Sequence, residues 1–139
     1  MITPFVFLRI PQLGNKLFWK FHKFNFKNII FYARPKDWYG VRQILVGDEY
    51  IFLNEIFGEN GKLMIIDAGA NIGLFSLKMF YFFPKSTIHA IEPSSDTFDV
   101  LKMNKKINNT FSWKLYDAAL TRQDGEISFK NYKYLSVNN

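Results

Sequence analysis

IIDAGANIGLF, residues 65–75, sets Asp67, Gly69, Asn71 and Gly73 at alternating positions between two apolar runs. Leu63 to Ile66 reads as a short buried strand, and Ile72 to Phe83 as a largely apolar helix closed by Pro84, so the glycines fall in the turn between them. Glycine at such a turn permits positive φ and lets the backbone approach a ligand closely, while the free N–H groups at the helix start can receive a polar or anionic group. A carboxylate, two glycines and an asparagine so closely spaced are the makings of a nucleotide-type pocket.

The flanking chain alternates strand and helix. Asn28 to Tyr32 and Gln43 to Val46 read as short strands, Gly47 and Asp48 as a turn, Glu49 to Phe57 as helical, and residues 58–62 as a loop. After the glycine turn and its helix comes a strand from Thr87 to Ile91. Ser94 or Ser95 then caps a helix whose Phe98, Val100, Leu101, Met103 and Ile107 follow a helical period, with Asn108 and Asn109 as its stop. A third strand is expected over Ser112 to Tyr116, and Ala119 to Thr121 with Glu126 to Lys130 read as arms of a hairpin turned at Asp124 and Gly125. Strand, helix, strand, helix, strand at this spacing implies parallel pairing with right-handed crossovers, an α/β fold in which ligands bind beyond the carboxyl ends of the strands. Asp67, Glu92 and Asp117 all fall at such ends.

Glu92 follows Gly73 by 19 residues, close to the spacing at which a second-strand carboxylate accepts hydrogen bonds from ribose hydroxyls. Alone it would read as a solvated strand terminus; paired with the glycine turn, it reads as a ribose ligand. The turn is not a dinucleotide fingerprint, since Leu74 and Phe75 follow Gly73 at once, and no GK[ST] makes it a P-loop. An acid opening the turn would repel pyrophosphate but suits an ammonium group. S-adenosylmethionine, with a ribose, an adenine, an amino group and no phosphate, meets these demands.

Composition narrows the classes further. The 139 residues suffice for one modest domain, and 48% hydrophobic with 19% aromatic residues is ample for a core. No cysteine is present, so disulfides, thiolate metal sites and a cysteine nucleophile are excluded, and no metal is expected. The longest apolar runs, such as MFYFF at 79–83, are far short of the roughly 20 residues that cross a bilayer, and residues 1–12 lack the order of a signal peptide, so a cytoplasmic location is expected. The net charge of +6 is all N-terminal: residues 1–36 hold seven basic and no acidic residues, the remainder 11 basic against 12 acidic. Phe18, Trp19, Phe21, Phe24, Phe26, Phe31 and Tyr32 interleave those cations. Such a mixture suits anionic lipid head groups or single-stranded RNA, or else an amphipathic element that buries its rings on the domain and leaves its lysines in water. The last is the expectation here, with nucleic acid disfavoured and peripheral membrane contact through residues 1–36 kept as a second use.

IIDAGANIGLFSL, then AIEP, then AALTRQDGEISF, resembles the cofactor-binding half of the FkbM-type S-adenosylmethionine-dependent methyltransferases, and ARPKDWYGVRQILVGDEY at 33–50 resembles their lead-in. The likeness spans about residues 33–130. It implies a Rossmann-like class I methyltransferase fold: residues 1–57 as an extension partly packed on the core, and residues 58–139 as a partial cofactor-binding domain. It also implies methyl transfer to a hydroxyl of a sugar, glycolipid or polyketide-like acceptor. Carried over by position, Asp67, Gly69, Asn71 and Gly73 would hold the methionine part, with Asp67 near its amino group, and Glu92 would take the ribose hydroxyls. Asp117 and Ala118 would lie near adenine, although Asp117 reads equally as a turn former. Asn71 has two compatible roles, donor to the cofactor and helix cap. The family's KxDxEG strand does not occur before Asn139, so the sheet is expected to be incomplete. The edge of the Leu63 to Ile66 strand would then need a cover, either the aromatic arm or a partner chain. His89 reads as a packed strand residue and His22 as part of the basic arm; neither is nominated as a base. Outside the enzyme reading stand a noncatalytic adenosyl-binding module that completes its sheet with a partner, and a nucleic-acid or membrane-surface binder driven by residues 1–36.

Overall fold

The computed structural model describes residues 21–58, 61–122 and 125. It opens with an antiparallel hairpin of β1 (His22–Phe26) and β2 (Ile29–Ala33). Lys27 and Asn28 both adopt positive φ, 48° and 69°, which is the backbone of a two-residue turn matched to the strand twist. Only the second arm was expected as a strand. Alternation then sends Phe24, Ile29 and Phe31 into the core, while Phe26 and Tyr32 pack against its margin. For residues 21–33 the Phe24 and Phe31 rings are buried and Phe21, Phe26 and Tyr32 partly so, in keeping with the amphipathic reading; residues 1–20 lie outside the described residues.

The chain then winds through Pro35–Asp37, Trp38–Gly40 and Val41–Val46 as one helical rod of changing pitch, α1, closing in π-helical geometry. This corrects the strand expected at Gln43 to Val46. The run Ile44, Leu45, Val46 has the composition of a strand, but its buried residues, Val41 and Leu45, stand four apart, on one face of a helix that packs on α3. Opposite them, Gln43 Nε2 donates to Tyr39 Oη at 3.1 Å along the exposed surface. A short helix, α2 (Phe52–Phe57), follows, within the stretch expected to be helical.

β3 (Met64–Ala68), α3 (Leu74–Phe82), β4 (Thr87–Ile91), α4 (Ser95–Ile107) and β5 (Ser112–Tyr116) complete the described fold. The three strands are parallel in the order β3-β4-β5. Register places Ile65, Ile88 and Trp113 side by side on one face, and Met64, Thr87 and Ser112 on the other. Trp113 and Ile88 join Leu77, Phe80, Val100 and Leu101 of the helices in the core, so both crossovers lie on the same side. The opposite face has no covering layer among the described residues: Met64 is 79% and Ile66 66% exposed. There His89 stacks on Tyr116 with Nδ1 and Oη 2.8 Å apart.

β3 is one of the two edges of this sheet among the described residues. The described part of the arm does not cover it, because β2 packs on α4 instead. Asn104 of α4 makes that junction: its Oδ1 accepts from the Tyr32 N–H at 2.6 Å, and its Nδ2 donates to the carbonyls of Tyr32 (3.1 Å) and Ile72 (2.8 Å). Asn108 Nδ2 adds a bond to the Ile30 carbonyl at 2.7 Å. The hairpin expected at 119–130 falls largely outside the described residues, and residues 119–121 form no strand. No described helix is long and apolar enough to cross a membrane.

Candidate functional site

Between β3 and α3 the backbone turns through three left-handed residues, Gly69 (φ 76°), Asn71 (φ 51°) and Gly73 (φ 88°). The two glycines are needed for different reasons. A Cβ on Gly73 would stand 2.6 Å from Leu101 Cδ1 and from Trp113 Cζ2 and Cη2, so that glycine serves close packing of the turn on the core. A Cβ on Gly69 would meet nothing within 4 Å. The Gly69 backbone therefore borders open space at the carboxyl end of β3, where a ligand can approach. Gly73, not Asn71, takes the helix N-cap position, which leaves Asn71 exposed on the turn.

Glu92, just beyond β4, ties this turn to its neighbour. Its Oε2 accepts from the Asn71 N–H at 2.8 Å and its Oε1 from the Ser94 N–H at 2.9 Å. The Gly69 and Ala70 N–H groups both donate to the Ile91 carbonyl at 2.9 Å. The glycine turn and the β4 end thus form one hydrogen-bonded unit. Each carboxylate oxygen carries two lone pairs, so Glu92 keeps acceptor capacity after these bonds. Its 7% exposure marks a charge held almost wholly by the protein.

Asp67, also 7% exposed, points to the helix side of the sheet and accepts a 2.6 Å hydrogen bond from Ser76 Oγ of α3. Burial raises its carboxyl above the ordinary aspartate range; the Ser76 bonds oppose the shift and the Glu92 charge adds to it. Two buried carboxyl groups flanking a turn whose Gly69 backbone borders open space make a site suited to a polar or cationic group. Asp117 and Ala118 follow β5 on the same rim but are exposed, and no hydrogen bond or ion pair joins Asp117 to the other two. The structure therefore assembles Asp67, Gly69, Asn71, Gly73 and Glu92, with Asp117 and Ala118 one strand further along.

Ser76 was not anticipated, nor were Tyr50 and Lys78, which join the segment 45–50 to α3. A signal existed: Ser76 and Lys78 are the only non-aromatic polar residues of LFSLKMFYF, and both are buried. A polar group inside an apolar helix face implies a buried partner. Lys78 Nζ donates to the carbonyls of Leu45 (2.9 Å) and Gly47 (3.1 Å), and burial, with Lys27 nearby, lowers its pKa against the opposing effect of Asp48.

The parallel sheet with crossover helices and a glycine turn at the first strand end is the Rossmann-like fold of methyltransferases, present here as three strands and their helices. Among solved structures, TYW2 of P. horikoshii in complex with MeSAdo superposes with a TM-score of 0.54 at 18% identity, covering 72% of this chain and 36% of that one. A putative transferase of Pyrococcus horikoshii, PH0793, matches with a TM-score of 0.50, 18% identity and 72% and 37% coverage. In sequence, the chain is 35% identical over 74 residues to Methyltransferase 1 of Beauveria bassiana and 50% identical over 48 residues to Methyltransferase sdnD of Sordaria araneosa. Those stretches are 53% and 34% of this chain, and it spans 30% and 18% of the two relatives' lengths. No protein-family profile matches the chain.

Proposed function

We propose that this chain is the cofactor-binding part of an S-adenosylmethionine-dependent methyltransferase of the FkbM type, acting on a hydroxyl of a sugar, glycolipid or polyketide-like acceptor. The observation that carries the reading is the pair of buried carboxylates, Asp67 and Glu92, on either side of a left-handed glycine turn that borders open space at Gly69. The two fungal relatives named as methyltransferases support the enzyme class. The acceptor class rests on the FkbM resemblance of the quoted motifs.

When bound, S-adenosylmethionine supplies an electrophilic methyl group on a sulfonium. Glu92 would accept from the ribose hydroxyls with the lone pairs its two backbone bonds leave free. Asp67, buried and held by Ser76, offers negative charge to the amino group. The glycine turn admits the ligand at Gly69 and keeps the two carboxylates in fixed register through the Asn71 and Ile91 bonds. Asp117 and Ala118, exposed beyond β5, would face the adenine. The protein's task is positioning, since in-line geometry supplies most of what methyl transfer needs.

Calorimetric titration of the chain with S-adenosylmethionine tests this. Saturable binding that is little affected by salt and lost in Glu92→Ala is expected. Absence of heat at millimolar ligand from folded protein contradicts it. The exposed β3 edge and the open face bearing Met64 and Ile66 favour a second reading, an adenosyl-binding module whose sheet a partner completes.

A further inference from the structure

Tyr50 closes the quoted stretch 33–50, and two contacts from α3 fix its segment against the helix that leaves the glycine turn. Its ring meets Phe75 edge-on, with centroids 4.9 Å apart at 70°. Phe75 sits in the first turn of α3, next to Ser76, whose hydroxyl holds Asp67. One helical turn on, Lys78 binds the Leu45 and Gly47 carbonyls. Residues 75 and 78 share a helix face, so the same face clamps both ends of the stretch 45–50. Between them the backbone makes a turn, with the Ile51 N–H donating to the Asp48 carbonyl at 3.1 Å.

The ring so placed is half-buried, and the Glu49 and Asp67 carboxylates, after burial, raise its phenol pKa. An aromatic ring packed on the first turn of the helix that follows the glycine turn, next to the serine that holds Asp67, suits a cation better than a neutral group. We propose that Tyr50 is a ligand-contacting residue whose ring closes the pocket beside Asp67 and discriminates in favour of the cationic sulfonium over the neutral thioether left after methyl transfer. This rests on the cofactor reading above and adds a selectivity element to it.

The test measures affinities of the 139-residue chain for S-adenosylmethionine and S-adenosylhomocysteine by calorimetry, in the parent, Tyr50→Phe and Tyr50→Leu. Tyr50→Phe should keep the preference for the sulfonium. Tyr50→Leu should weaken S-adenosylmethionine by about 3- to 30-fold while changing S-adenosylhomocysteine by less than about twofold. Equal losses for both ligands, or no loss, would overturn the proposal. Should Tyr50→Leu not fold, 3-fluorotyrosine incorporated in the parent serves, the position-50 resonance being identified by its absence from Tyr50→Phe. That resonance should move with S-adenosylmethionine at the calorimetric midpoint, and a resonance unmoved at saturation refutes the contact. A parent that binds, with binding lost in Glu92→Ala but a Tyr50→Leu indifferent to ligand charge, leaves the cofactor reading standing and removes only the role of Tyr50. A parent that binds neither compound removes both.

Discussion

Replacing Gly73 by alanine probes the turn on which the site is built, and the structure separates its cost into two parts. At φ 88° an alanine is in the left-handed region, a penalty of about 1–2 kcal/mol. Its Cβ would also lie 2.6 Å from Leu101 Cδ1 and from two ring carbons of Trp113. Both neighbours are buried, at 0% and 2% exposure, so neither yields freely, and overpacking of this kind costs about 1–3 kcal/mol more. The total of about 2–5 kcal/mol is a large part of the stability of an ordinary domain, about 5–15 kcal/mol. Gly69→Ala is the control. Its φ of 76° carries the same backbone penalty, but its Cβ meets open space, and the effect of alanine on unfolded-chain entropy is common to both variants. Urea unfolding should therefore place the Gly73→Ala midpoint below that of Gly69→Ala by about 0.7–2 M, at a slope of about 1.5 kcal/mol per molar. Ligand affinity should fall in Gly69→Ala even though its fold survives. Coincident midpoints for the two variants would refute the packing of Gly73 against Leu101 and Trp113.

Three further outcomes are expected. Because burial raises the folded-state pKa of Asp67, its ionisation penalises the folded chain as pH rises from the unfolded value of about 4 through the raised one. Asp67→Asn should thus melt at or above the parent temperature at neutral pH, lose that advantage near pH 4, and bind S-adenosylmethionine poorly throughout, as thermal scans and titrations across pH will show. Asn104→Ala strips the Tyr32 amide and the Tyr32 and Ile72 carbonyls of their partner and should cost about 2–4 kcal/mol in urea unfolding. Ile66→Thr, on the open face and 66% exposed, should change stability by less than about 0.5 kcal/mol while reducing concentration-dependent light scattering.

How much of this was legible in the residues follows from sequence separation. The glycine turn, β3, β4, β5 and α4 were readable because each is decided within a dozen residues, by a glycine pair, a buried strand or a helical period. That Glu92 pairs with the glycine turn was readable from its distance to Gly73, although its grip on the Asn71 and Ser94 amides was not. β1 escaped notice because Lys27-Asn28 lacks the glycine that signals a two-residue hairpin turn, and the left-handed pair became visible only in the fold. Gln43 to Val46 misled because an apolar run of this composition fits a strand equally well, and packing of Val41 and Leu45 against α3 decided otherwise. Asn104, Lys78 and Tyr50 act on partners 72, 33 and 25 positions away, and no local pattern announces such pairings.

The most direct measurement is an amide-resolved NMR titration of the isotope-labelled chain with S-adenosylmethionine. Saturable shifts should concentrate at Gly69, Asn71 and Gly73 and at the residues following Glu92. A perturbation confined to the hairpin of residues 22–33, or a spectrum unchanged at millimolar ligand, would show that the turn and the glutamate do not form the binding site.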